Sequence, residues 1–146
     1  MSYACAEDLR LRIGGSVFCE IYYVTDGSDL SDRSDITDDL ESAAAEIDGA
    51  LAFRYALPVT GERSLALLKD WNLTLAEERA YARAAGSEFA EKIKRRADQV
   101  RKYLEMIRAD QFRLPDAAEN GASSGGGIAL AKRDAQIFGR ENMDGF

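Results

Sequence analysis

Histidine is absent from the 146 residues. That one gap removes the commonest general base, the side chain that titrates near neutral pH and the commonest zinc ligand. The expectation is a chain that is not an enzyme and holds no metal or other cofactor. Cysteine occurs only twice, as Cys5 and Cys19. Two thiols make no disulfide framework and have no base to activate them, so a reduced setting with structural thiols is expected. Apolar runs fall far short of the roughly 20 residues a membrane span needs. The opening MSYACAEDLR has neither the basic nor the apolar region of a secretory signal, so no membrane partner is expected. Basic charge is short too: 19 Lys and Arg against 26 Asp and Glu give a net charge of -7. Such a surface repels phosphates, which argues against a nucleic-acid reader but suits a wall that DNA passes without sticking.

What is present fits one folded domain, with 46% hydrophobic and 31% charged residues and enough length to bury a core. CAEDLRLRIGG reads as a short helix that Gly14 and Gly15 end. SVFCEIYYV, residues 16–24, reads as a strand or as buried helix; with no other strand to pair with, a second short helix is favoured. The polar and acidic segment 25–39 has turn composition. Leu40, Ala44, Ile47, Leu51 and Arg54 then recur at helical spacing, with Asp35 or Thr37 as the expected cap and Pro58 as the stop. Leu65, Leu68, Trp71 or Asn72, Leu75 and Arg79 continue as a helix to about Ala85. The clearest helix follows: Phe89, Ile93, Ala97, Val100, Leu104 and Ile107 form one apolar stripe that ends before Pro115. Residues 119–127, ENGASSGGG, have linker composition, and 128–146 form an arm too short for a core of its own. The fold class expected is all-α: a small helical bundle over 1–118 with two long helices, shorter N-terminal helices and an extended C-terminal arm.

Chemical motifs are few. The acidic segment does not place ligands, Gly and Glu in the frame of a calcium loop. GASSGGG lacks the Lys-Ser/Thr of a phosphate loop and follows no strand. Tyr22, Tyr23, Trp71 and Tyr103 sit on apolar patterns, which favours core positions over base stacking. KIKRR at 92–96 and RKY at 101–103 are a local basic bias. They read as a solvated helix face or, with Lys94 and Arg95 foremost, as a surface meeting an acidic partner such as the 26–39 segment of a neighbouring copy; such head-to-tail contacts close into rings.

Ala43, Ala44, Ala45, Gly49, Ala50 and Ala52 allow close helix approach on several faces. Asp48 and Arg54 are six apart and do not face each other on one helix, so each needs a partner in another helix or another subunit. Ile137, Phe138, Met143 and Phe146 place apolar side chains on the arm, where a monomer has little reason to keep them. That arm is expected to reach a neighbouring subunit or another protein, with Arg140 meeting an acidic group; the alternative is a tail that folds back on its own domain.

YACAEDLRLRIG, then DITDDLESAAAEIDGALAFRYALPV, then IFGRENMDGF together resemble the Mu-like phage head-tail connector family. The residues carrying the resemblance are Tyr3, Glu7, Asp8, Leu9, Ala44, Ile47, Asp48, Leu51, Arg54, Tyr55, Leu57, Pro58, Phe138, Arg140, Gly145 and Phe146. The stretch from Leu65 to Ala85 departs from the family pattern. The resemblance implies a structural protein of the virion neck, present in the host cytoplasm during assembly. It implies a ring of roughly twelve-fold symmetry below the portal, which extends the DNA channel and docks the tail. Its partners would be its own copies, the portal protein and tail or neck proteins, with DNA passing through unread. Asp48, Arg54, Tyr55, Lys94, Arg95, Phe138, Arg140 and Phe146 are the expected interface residues. The alternative is a small helical regulatory or interaction protein without a DNA-binding face.

Overall fold

In the computed structural model, residues 2–84 and 90–120 are described. They form five helices: α1 (Ala6–Ile13), α2 (Gly15–Tyr22), α3 (Ser34–Leu51), α4 (Glu62–Arg83) and α5 (Ala90–Arg108). The all-α class is as expected, and segment 16–24 is helical down to Tyr22. Gly14, at φ 102°, makes the tight joint between α1 and α2 in a region that favours glycine. Three helices are long rather than two, because α3 takes in Ser34–Asp39 from the acidic segment. It does so by burying Ile36 and Asp39 as well as Leu40. Arg33, not Asp35 or Thr37, stands at its N-cap.

The core is built around α4. All seven residues from Trp71 to Glu77 are buried, so this helix meets protein on every side. The antiparallel neighbours α3 and α5 pack against it, with α1 and α2 covering the remainder. The stripe expected on α5 is buried from Ile93 through Ala97, Val100 and Leu104 to Ile107; Phe89 lies outside the described residues. Among the small residues of α3, Ala43, Ala44 and Ala50 are buried, whereas Ala45, Gly49 and Ala52 face solvent. Close approach is therefore confined to one face.

After α5 the chain turns back as a strap. The Leu114 amide donates to the Tyr55 hydroxyl at 2.8 Å, Ala56 N donates to Ala118 O at 3.0 Å, and Asn120 N donates to Arg54 O at 2.7 Å. Tyr55 and Glu119 form an antiparallel bridge. The first two residues of the expected linker, Glu119 and Asn120, are thus pinned beside the end of α3. The remaining linker residues and the arm, including Phe138, Arg140 and Phe146, lie outside the described residues.

Candidate functional site

Because α3, α4 and α5 alternate in direction, the bundle has two chemically different ends. At one, α3 finishes and α4 begins. A cavity of about 480 Å³ opens there, walled by Pro58, Val59, Leu65 and Ala66 and reached by Ser2, Tyr3, Asp48 and Lys69. The N-terminal residues are fixed at its edge by the buried Asn72, whose Oδ1 accepts from Ser2 Oγ at 2.8 Å and Tyr3 N at 3.1 Å. Asn72 Nδ2 donates to Leu40 O at 3.0 Å, so all three elements share one amide. Tyr3 donates its hydroxyl to Asp48; burial, then this bond, pushes the Tyr3 hydroxyl pKa upward. Lys69 pairs with Asp8 at 3.0 Å. Asp48 forms no ion pair among the described residues. Leu57 and Leu65 are exposed large apolar residues of this end, and Phe53, 71% exposed, is another. The Arg108 guanidinium lies 5.1 Å from the Phe53 ring centroid.

The other end holds the start of α3, the end of α4 and the start of α5. Asp39, almost fully buried, accepts two hydrogen bonds from Arg83 at 2.7 and 2.9 Å and one from the Tyr22 hydroxyl at 2.6 Å. Burial and that bond push the Tyr22 hydroxyl pKa up. Further along, Arg101 of α5 bridges Glu46 of α3 and Glu78 of α4, each at 2.6 Å. Glu77 is held by Arg96 and, at 3.8 Å, by Arg12; burial raises its carboxyl pKa despite both arginines.

These pairings divide the basic face of α5. Arg96 and Arg101 are committed inside the chain, while Lys92, Lys94 and Arg95 are exposed with no ion pair among the described residues. Asp39 is likewise removed from the acidic surface expected over 26–39, which leaves Asp26, Asp29, Asp32 and Asp38 exposed. Asp29 and Ser31 lie beside Thr37 and Glu41 of α3, and Lys94 and Arg95 immediately precede the Arg96 that reaches Glu77 of α4.

Asp48, Arg54 and Tyr55 come together at the groove end, and each has a partner within the chain. Asp48 receives Tyr3, Arg54 Nη1 lies 3.4 Å from Asp110, and Tyr55, 1% exposed, carries the strap. Arg54 Nε, however, is buried without a hydrogen-bond partner among the described residues. Sequence reasoning missed Asn72, Glu77 and Asp116 as organising residues. Asn72 was visible only as one of two possible core positions in α4.

The described residues define a small all-α bundle with a groove at one end and exposed Lys92, Lys94 and Arg95 toward the other. None of the described helices is long and apolar enough to cross a membrane, and no group of three or more Cys, Asp or Glu among the described residues is placed to hold a metal ion. A family model described as Bacteriophage Mu, Gp36 matches residues 3–131. The chain belongs to that family and is a Mu-like phage protein. No curated protein matches it.

Proposed function

We propose that this phage protein is a structural head-tail connector whose copies join into a ring of roughly twelve-fold symmetry below the portal. The ring lengthens the DNA channel and presents the docking surface for tail or neck proteins, in the virion neck after assembly in the host cytoplasm. It performs no catalysis and needs no cofactor. Beyond family membership, the supporting observation is that Asp29 and Asp32 on one segment and Lys92, Lys94 and Arg95 on α5 are exposed, with no ion pair among the described residues. A head-to-tail ring joins two different faces of each subunit, and acidic and basic sets carried on separate elements are complementary faces of that kind. The net charge of -7 also suits a channel wall that must not hold DNA.

Native mass spectrometry of the protein alone and with portal, followed by cryo-electron microscopy of the mixture, tests this reading. A closed ring, free or on the portal, is the expected result. A chain that stays monomeric or dimeric at every concentration and ignores the portal would instead be the small helical interaction protein that is the alternative.

A further inference from the structure

We infer that the groove at the α3–α4 end is the receptor for this chain's own C-terminal segment, residues 137–146, with Phe138 in the apolar groove and Arg140 on Asp48. The inference is independent of the ring. Three observations carry it. The groove is large enough, at about 480 Å³, for an aromatic side chain, and its Pro58, Val59, Leu65 and Ala66 walls offer no polar group to one. Asp48 lines the same groove half-buried, with one oxygen taken by Tyr3 and no ion pair among the described residues; the groove's Lys69 is held by Asp8 at 3.0 Å. A partly desolvated carboxylate in that state favours a guanidinium, which can bond it in a fork.

The third observation is where the chain goes. Asn120 is fastened next to the groove end, donating from its amide to Arg54 O at 2.7 Å and from Nδ2 to Ala52 O at 3.1 Å. From there the 16 residues 121–136 span up to about 55 Å when extended, ample for reaching a groove at the same end. Their first seven, GASSGGG, have the composition of a flexible tether, which places the tail at roughly millimolar effective concentration. That favours the chain's own groove over a neighbour's. The segment IFGRENMDGF then has the required pair: Phe138 and Arg140 are two apart, and extended backbone puts alternate side chains on one side.

A photo-reactive benzoyl-phenylalanine at position 138 of the full-length protein, irradiated in an equal mixture of nitrogen-14 and nitrogen-15 copies, tests the proposal. The expected product joins position 138 to peptides covering 57–69 within one isotopic copy. Asp48→Asn, which keeps an acceptor for Tyr3, and Arg140→Glu should each lower its yield about tenfold, the factor that a charge-assisted hydrogen bond contributes to an equilibrium. Leu65→Glu, a change at an exposed wall position that leaves the core intact, should abolish it. Mixed-isotope products, crosslinks scattered away from the groove, or yields unchanged in all three variants would overturn the proposal.

Discussion

Asp116 caps α4 across a gap of 52 residues, accepting the Ser64 amide at 2.8 Å and the Ser64 hydroxyl at 2.6 Å on Oδ1. Its Oδ2 accepts the Arg63 amide at 2.9 Å. The N-cap position itself is Gly61, which has no side chain for the task, so the strap supplies one. Free amides at a helix start need such an acceptor, and closing this end of the bundle is therefore also what starts its central helix.

Gly61 should accept no larger residue. A Cβ there would lie 2.1 Å from Asp116 Oδ1 and 2.4 Å from its carbonyl oxygen, and the second of these is backbone. Gly61→Ala is expected to destabilise the protein by about 1–3 kcal/mol, the usual range for forced overpacking, measured by urea denaturation. Unchanged stability would mean that the strap does not lie against Gly61.

The same cap gives stability an acid limb. Bonds from Ser64 and the Arg63 amide favour the charged form of Asp116 and hold its pKa below 3.8. A carboxyl lowered on folding contributes stability above its unfolded value that is lost as pH falls through the folded one. Asp116→Asn should therefore be less stable than the parent at neutral pH. The gap between them should narrow as pH drops below about 3.8; a gap independent of pH in denaturation curves would contradict this.

Glu77 has the opposite sign. Burial raises its pKa above 4.5, so protonation favours the folded state. Its contribution is fullest below 4.5 and declines as pH rises through the folded value. Removing the carboxylate still leaves Arg12 and Arg96 without their shared partner. Because both arginines are partly solvated, Glu77→Ala is expected to cost about 2 kcal/mol, less than breaking a fully buried pair. Thermal unfolding at pH 7 measures it, and a neutral effect would show that the pair does not bind α1 and α5 to α4.

Reversal of Lys94 and Arg95 to Glu should weaken self-association while leaving helical content unchanged, since both are exposed and outside every pairing described. The loss should be largest at low salt, where attraction between exposed charges is least screened. Sedimentation at several ionic strengths reads this directly. Association equal to the parent at all of them would remove α5 from the subunit contact.

The sequence made α5 legible because only one side of it is buried, so apolar and charged residues alternate at helical spacing. On α4 the same reading ran out. From Trp71 to Glu77 every side is covered, so the periodic contrast vanishes, and Leu65 and Arg79, two of the positions that marked the helix, are respectively exposed and half-buried. The groove draws on residues 2–3, 48, 58–59 and 65–69, which no local pattern connects. Asp48 and Arg54 were recognised as needing partners, but Tyr3 and Asp110 reach them only through folding. Asp116, two residues before the expected end of the domain, looked like ordinary surface charge.

An apolar groove at one end of the bundle and bare charge toward the other give a single copy an arrow. Any closed ring of such copies inherits it, with every groove opening on one rim. Two rings stacked head to tail then join unlike rims, and the next addition meets the same choice again. In the ring proposed above, the two rims would therefore differ, and with them the partners that each rim can take.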